Sequence, residues 1–391
     1  MAQSVVSGIV TDRQTGRPLS HVSIAAEGSD VHTVSNDDGR FTLKVPQLPR
    51  YVRVSHIGYK TRREAVGSAG EPLQIQLQAN TVALSEVVIA ANDPEAILQA
   101  AISRIETNYP EHPELTRCFY RETARRGQRF ISVAEAVTEM YKSPYAYGPE
   151  RDAVAIIKGR RLMSMKARDT LGVKLQGGPV MPLMADVAKN RDYVLCSDNL
   201  AYCDLKMLVP ATIGDRLQYV IELKPRGAVL YPLLLGKLYI DQKTLAFTRA
   251  ELALDMRDWR TAASYMLVRK PAGLRFRPKL LEVTVVFHTD EQGITRLAYQ
   301  RSEMRFTCDW RRRLFASPFT VVSEMVVTDR LAQGKGTKRP RGRSSFGLRD
   351  KFYDKVEYFE DPDFWADYNI IEPTESLEHA IGRLKKRVRN Q

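Results

Sequence analysis

Short runs of alternating apolar residues, broken at close intervals by turn residues, constrain this chain more than any other feature. They are densest in the first third, around Asn36-Asp37-Asp38-Gly39-Arg40-Phe41-Thr42-Leu43. Upstream lie Val5-Val6-Ser7-Gly8-Ile9-Val10 and His21-Val22-Ser23-Ile24. Downstream lie Phe41-Thr42-Leu43-Lys44-Val45 and Tyr51-Val52-Arg53-Val54-Ser55. Period-two alternation between turn signals predicts antiparallel strands, each with one buried face. Asp38-Gly39 suits a tight turn, because glycine accepts a positive φ at no steric cost.

These residues resemble the carboxypeptidase-regulatory-like domain family. The matching pieces are Gly8-Ile9-Val10-Thr11-Asp12, Thr15-Gly16-Arg17-Pro18-Leu19, Val22-Ser23-Ile24, Thr33 to Phe41, and Val52 to Tyr59. The resemblance covers about residues 4 to 79. It implies a small prealbumin-like β-sandwich of about seven strands with no catalytic residues of its own. It also implies a cell-envelope setting, since in Bacteroidetes-type bacteria this domain often precedes outer-membrane or periplasmic modules. Leu84-Ser85-Glu86-Val87-Val88-Ile89 looks like the linker that ends such domains. Asp363-Phe364-Trp365-Ala366-Asp367-Tyr368-Asn369-Ile370-Ile371 is similar to a segment of uncharacterised envelope proteins carrying the same N-terminal domain. Some relatives continue into a membrane β-barrel, which is not expected here.

The expected organisation is a sandwich over residues 1–79, a linker over 80–93, and a second domain over 94–391. Asp93-Pro94 opens the second domain as an N-cap with proline at the first helical position. Ile97, Leu98, Ala101, Ile102 and Ile105 then share a face, which predicts a helix over 94–108. Leu115 to Tyr120 reads as a strand. Phe130 to Tyr141 is ambiguous between strand and helix by pattern, and its Val, Ile, Thr and Tyr content favours a strand. Ala153 to Arg161 reads as a strand running into a basic patch. A short helix is expected near Met184 to Lys189, and Tyr193-Val194-Leu195 as the start of a strand. Tyr219 to Pro225, Leu234 to Ile240, Phe247 to Asp255, Leu280 to His288, Ile294 to Phe306 and Phe319 to Thr328 predict a meander, with a hairpin at Asp290-Glu291-Gln292-Gly293. Gln333 to Arg343 is nearly all Lys, Arg, Gly and Pro and is expected as a mobile loop. The aromatic, acidic segments at Glu357 to Glu360 and Phe364 to Asn369 should pack back on the sheet. A closing helix is expected over 375–389, with Lys385, Lys386, Arg387 and Arg389 complementing its C-terminal dipole.

Gly236-Lys237-Leu238-Tyr239-Ile240-Asp241, followed by Thr244 and Ala250-Glu251, loosely resembles the curved sheets of periplasmic lipoprotein carriers. That likeness implies a concave apolar face able to hold a lipid. The same residues suit better a core packed beneath the 94–108 helix.

Motifs for chemistry are sparse. The six histidines, His21, His32, His56, His112, His288 and His379, form no zinc-ligating pair, and no Gly-x-Ser-x-Gly elbow occurs. Gly159-Arg160-Arg161 and Gly334-Lys335-Gly336-Thr337 lack the full phosphate loop. Asn36, Asp37 and Asp38 offer oxygen ligands for calcium but no further spaced carboxylate. Cys118, Cys196, Cys203 and Cys308 suit no zinc cluster. Cys196 and Cys203 fit a local disulfide or, like the others, reduced thiols. No catalytic, metal or cofactor residue is therefore assigned.

Lys plus Arg number 59 against 46 Asp plus Glu, a formal charge of +13. Such a surface attracts anionic lipid, acidic glycan or nucleic acid. Arg311, Arg312, Arg313, Lys335, Lys338, Arg339, Arg341 and Arg343 are the candidate contacts. Trp310 and Phe315 give only a single aromatic cluster, so nucleic acid is disfavoured and an anionic membrane edge fits better. No apolar run reaches the roughly 20 residues of a transmembrane helix. Met1-Ala2-Gln3 leads almost directly into strand pattern, which fits either a cytoplasmic protein or one whose signal peptide has been removed, and the family resemblance favours the second.

The reading is a mainly β protein (α+β): a prealbumin-like sandwich followed by a larger curved antiparallel sheet with packing helices. The expected role is non-enzymatic, a periplasmic or outer-membrane-associated binding or assembly module for a lipid, peptide, glycan or envelope protein. A hydrolase with a noncanonical site in the second domain and a structural adaptor are the alternatives.

Overall fold

The computed structural model describes residues 4–68, 70–80, 93–164, 173–227, 231, 233–310, 316–342, 344–348, 350, 352, 355–358, 365 and 368–389. The N-terminal alternating runs form seven strands: β1 (Ser4–Asp12), β2 (Ser23–Ala26), β3 (His32–Val34), β4 (Arg40–Val45), β5 (Tyr51–Ser55), β6 (Arg62–Ala65) and β7 (Leu73–Leu77). Strands β4, β1 and β7 make one sheet, and β3, β2, β5 and β6 the other. Val6, Val10, Ile24, Phe41, Leu43, Val52, Val54, Ile75 and Leu77 fill the space between them, as alternation requires. The Asp38-Gly39 turn closes as expected. Gly39 has φ +75°, and a Cβ there would meet the Val10 carbonyl oxygen at 2.5 Å. Asn36 Oδ1 accepts from the Asp38 and Arg40 amides at 3.0 and 2.9 Å.

Helices α1 (Pro94–Ser103) and α2 (Ile105–Asn108) open the rest of the chain. Asp93 caps α1 by accepting from the Glu95 amide, and Pro94 sits at its start. The single helix expected over 94–108 breaks at Arg104, whose amide turns back to the Ala101 and Ile102 carbonyls. Next come β8 (Glu114–Arg126), β9 (Arg129–Lys142), β10 (Ala153–Met163), β11 (Lys174–Leu175), α3 (Met181–Ala185), α4 (Arg191–Val194) and α5 (Ser197–Ala201). The series continues with β12 (Cys203–Ile213), β13 (Arg216–Pro225), β14 (Leu234–Asp241), β15 (Phe247–Leu254), α6 (Trp259–Met266), β16 (Leu267–Arg269), β17 (Leu274–Thr289), β18 (Thr295–Trp310) and β19 (Ser317–Gln333). It ends with β20 (Ser345–Phe346), β21 (Glu357–Tyr358) and α7 (Glu375–Arg389).

The large sheet runs β12-β13-β14-β15-β17-β18-β19-β8-β9-β10-β20, with β21 joined to β10. Neighbours along that path are antiparallel, as the meander pattern predicts, and β21 runs parallel to β10. Two local expectations differ. Tyr193 and Val194 are helical, in α4, not a strand, because three apolar residues carry too little period to separate the two. Gln333 to Arg343 is tied to the body: the Gly334 amide donates to Pro113 O at 2.9 Å and Arg339 to Asp152 O at 3.0 Å.

Successive residues of β8 point to opposite faces. Cys118 and Tyr120 join the inner core, and Phe119 joins an outer cluster with Val137, Val326, Trp365 and Val34. On the inner face Leu98, Ala101 and Ile105 pack on Ile221, Leu238, Ile240, Phe247, Ala250 and Val285. Leu238, Ile240 and Phe247 are fully buried. The apolar concavity is therefore core beneath α1 and α2, not an open lipid hollow.

The sandwich lies against the outer face. Val34 enters the cluster around Phe119 and Trp365. The Gly58 amide donates to Thr212 O, Thr61 N to Asp215, and Arg330 to Asp30. The C-terminal segment is threaded between the two parts. Thr33 and Asn36 donate to the Ile370 and Pro373 carbonyls, Lys44 and Asn369 exchange two hydrogen bonds, and Asp38 accepts from the Glu375 amide at the start of α7.

Candidate functional site

Strand β9 is buried on both faces, and each face carries a charge into the interior. On the outer face this charge is Glu135. Arg121 Nε donates to its Oε1 at 2.8 Å, and Arg160 Nε to its Oε2 at 2.8 Å. Trp365 Nε1 also donates to Oε2, at 3.1 Å. Arg121 reaches on to the Ile371 carbonyl at 2.7 Å, and the Arg160 guanidinium lies 4.9 Å above the Trp365 ring. Burial alone would raise the Glu135 carboxyl. The Arg121 and Arg160 charges outweigh it and hold the group below its ordinary range. This network pins the C-terminal segment, and through it the sandwich, to the sheet.

Histidines line the same interface. His21 meets Glu324 at 3.4 Å and Asp37 at 3.6 Å, and its ring lies tilted against that of Tyr299, 5.4 Å between centroids. Burial would raise Glu324, but its hydrogen bond and charge contact with His21, helped by Arg121 and Arg301, take it down to about 2. His32 is pushed down to about 4 by burial and by His288, and His56 to about 4 by burial and by Arg249.

On the inner face the charge is Lys142, at the end of β9. It pairs with Asp186 at 2.5 Å, and Asp186 also accepts from the Tyr145 hydroxyl at 2.7 Å. Lys189 pairs with Asp152 at 3.0 Å and donates to Ser143 Oγ at 2.9 Å and to the Ser143 and Pro144 carbonyls. Ser143 in turn donates its amide and hydroxyl to Asp152 Oδ1, each at 2.8 Å. Asp152 Oδ2 accepts no hydrogen bond among the described residues and faces Lys142 at 3.9 Å. Burial lowers Lys189, Lys142 lowers it further, and Asp152 and Asp186 offset only part, leaving it at about 8. For Lys142 the same burial is overcome by Asp186 and Asp152, which raise it.

Above this network opens a cleft of about 630 Å³. Its walls are the Tyr145–Ala153 turn, the segment from Val180 to Asp192, and Arg339 with Ser345–Leu348. Tyr147 and Leu348 are 44% and 54% exposed at its mouth. Val180, Met184 and Phe346 supply apolar wall, and Arg191, Asn190 and Arg339 supply donors. A concave, half-apolar space with a few fixed polar groups is the usual form of a small-ligand seat. The buried ions anchor the first two walls to one another, and Arg339 ties the third to the Asp152 carbonyl.

The Ser143–Lys189 contact is arranged for support rather than nucleophilic attack. An activated serine gives its proton to a neutral base. Here the serine proton goes to Asp152, and the lysine donates to the serine while paired with that same carboxylate.

Of the eight basic residues picked out by sequence, four are among the described residues. Trp310 and Ser317 bracket Arg311, Arg312 and Arg313, which lie outside the described residues, as does Arg343. Lys335, Lys338, Arg339 and Arg341 follow the other end of β19, a strand of 17 residues. Of the described four, Arg339 lines the cleft. Arg160, read as part of a basic patch, is buried against Glu135. Cys196 and Cys203 are free thiols. Asn36 and Asp38 spend their oxygens on the turn and on α7, and no group of metal ligands occurs among the described residues. No helix among them is long and apolar enough to cross a membrane.

Sequence reasoning missed the buried ions. Glu135 does carry a signal, as one carboxylate inside Val133-Ala134-Glu135-Ala136-Val137. Asp152, Asp186 and Lys189 sit in loops and carry none.

Comparison with known proteins supports the first part of the chain. Residues 6–89 match the model of the CarboxypepD_reg-like domain, so this sandwich is a member of that domain family. A TonB-dependent receptor of Formosa agariphila, P3, is 31% identical over 84 residues, 22% of this chain and 8% of the receptor. The chain thus spans less than a tenth of that curated relative. Among solved structures, a DUF1329 family protein from Desulfovibrio piger aligns over 60% of this chain and 94% of its own, at 13% identity and TM-score 0.23. A LolA superfamily protein from Nitrosomonas europaea aligns over 61% and 95%, at 16% identity and TM-score 0.20. These scores are below those of a shared fold.

Proposed function

We propose that this protein is a non-enzymatic binding or assembly module of the bacterial cell envelope, in the periplasm or at the periphery of the outer membrane. In this reading residues 94–391 hold a ligand in the cleft above Lys142 and Lys189. The sandwich, joined through residues 80–93, braces the sheet from behind and offers a surface to an envelope partner. The envelope setting draws support from the domain family of residues 6–89 and from the receptor that shares it.

The observation that carries the reading is the cleft of about 630 Å³, two of whose walls are fastened by a buried ion network and the third by Arg339 to the Asp152 carbonyl. Its mixture of Tyr145, Met184 and Phe346 with Arg191 and Arg339 suits an amphiphile, with an apolar body against the wall and a polar end at the arginines. Among the envelope classes, a lipid, a lipidated peptide or a glycolipid has that form.

Native mass spectrometry of protein purified gently from the envelope fraction, before and after organic extraction, tests this. The expected result is a stoichiometric mass that extraction removes. Met184→Trp, which fills the cleft wall, should lose that mass while keeping the melting temperature within a few degrees. Retention of the ligand in Met184→Trp, or an empty wild-type protein, would contradict the reading.

A further inference from the structure

The end of the large sheet away from the sandwich carries a second functional surface. Registers place its parts together. Arg277 of β17 is opposite Thr307 of β18, Thr307 is opposite Pro318 of β19, and Pro318 O accepts from Gly127 in the β8–β9 turn. Arg126 and Arg129 face one another across that turn. Three strand spacings, about 15 Å, therefore separate Arg277 from Arg126. From the other side α6 brings Trp259, whose ring has the guanidinium groups of Arg260 at 5.5 Å and Arg277 at 5.7 Å.

Most of the exposed charged side chains here are cationic. Arg260, Arg269, Lys270, Arg277 and Lys279 are all exposed. Two carboxylates of this end are already engaged: Asp309 with Arg275, and Asp258 with the first amides of α6. Trp259 is 38% exposed and Val268 is 44% exposed in the midst of these charges. On β19 the sandwich reaches Glu324, through His21, six residues and about 20 Å along the strand from Pro318. The sandwich leaves this end uncovered.

We propose that this end is a docking surface for an anionic lipid bilayer. A patch of fixed positive charge is drawn to anionic headgroups, each basic side chain near the surface adding to the attraction. Charge alone would suit any polyanion. The exposed indole and Val268 favour the bilayer, since an amphipathic ring beside cations sits well at the headgroup boundary, with its apolar edge toward the acyl region. The surface is distinct from the cleft and stands without it.

Sedimentation with vesicles tests this on the full chain. Vesicles of phosphatidylcholine with 30% phosphatidylglycerol should carry the protein down, and pure phosphatidylcholine should not. Half-molar salt should release most of it. The double charge reversal Arg277→Glu with Lys279→Glu should weaken binding by at least about tenfold. Trp259→Ala should weaken it by a few fold and leave a residual binding that is more salt-sensitive than wild type. Circular dichroism melting of each variant guards against misfolding, and Glu282→Lys, also exposed on β17, is the opposite control, expected to strengthen binding. Equal binding to neutral vesicles, indifference to the charge reversal, or preference for an acidic polysaccharide that competes the vesicles off would overturn the proposal.

Discussion

Two buried charge networks sit on opposite faces of one strand, and they differ in how completely they are satisfied. Glu135 uses both carboxylate oxygens, against two arginines and an indole. Its partners go on to backbone carbonyls of the C-terminal segment. Across β9, Lys142 and Lys189 share Asp186 and Asp152 less evenly. Among the described residues Asp152 Oδ2 lacks a hydrogen bond, and Lys189 is held at about 8. Burial of charge is costly unless pairing and hydrogen bonding are complete. The outer network meets that condition and acts as a rivet. The inner one meets it only in part, and it is the one beneath a cleft. Incomplete satisfaction at a buried ion cluster is more common where a site does something besides hold the fold together.

The largest effect should come from breaking the rivet. Glu135→Ala leaves Arg121 and Arg160 without their carboxylate and should cost about 3–5 kcal/mol in urea unfolding. It should also expose the C-terminal helix to trypsin in the native state. A loss under about 1 kcal/mol would mean that the arginines find other partners and the contrast fails. On the inner face Asp186→Ala removes the partner of Lys142 and Tyr145. Its cost should be smaller, about 2–4 kcal/mol, because Asp152 remains within reach of Lys142.

Solution pH sharpens the comparison further. His32 and His56 have folded values of about 4 against an ordinary 6.5, so the unfolded chain takes up protons first as pH falls. Stability should therefore drop progressively between pH 6.5 and 4. Glu324, at about 2 against 4.5, extends the loss from pH 4.5 toward 2. Lys189 acts at the other extreme. Its folded value of about 8 lies below 10.5, so the unfolded chain keeps its proton longer, and stability should rise as pH climbs from 8 to 10.5. Urea midpoints across this range read both arms. Lys189→Met should flatten the alkaline arm alone, and a variant that flattened the acid arm as well would show the two regions to be coupled. The smallest effect is expected for Trp365→Phe, which keeps the ring but loses one hydrogen bond to Glu135, about 1 kcal/mol.

Much of this architecture was legible in the sequence. The Asp38-Gly39 turn, the helix start at Asp93-Pro94 and the hairpin at Asp290-Gly293 are local events, set by φ preferences and capping within a few residues. The meander strands betrayed themselves because one face is core. Phe130 to Tyr141 showed itself by its Val, Ile, Thr and Tyr content and not by period, since it is buried on both faces and its alternation is erased. Tyr193 and Val194 were too short a run to show a period. The site lay further from view. Lys142, Asp152, Asp186 and Lys189 come together only once β9, its following loop and the α3–α4 connection are folded against one another. Charge composition misled in one respect: it gave Arg160 to a basic patch, whereas the fold buries it against Glu135.

Amide hydrogen exchange with and without a lipid extract of the envelope tests the central contrast most directly. Ligand in the cleft predicts added protection in residues 145–153, 180–192 and 344–348, with no change in 119–137 or 369–380. Protection appearing around Glu135 and the C-terminal segment, with the cleft walls unchanged, would contradict the account and make the outer network the functional one.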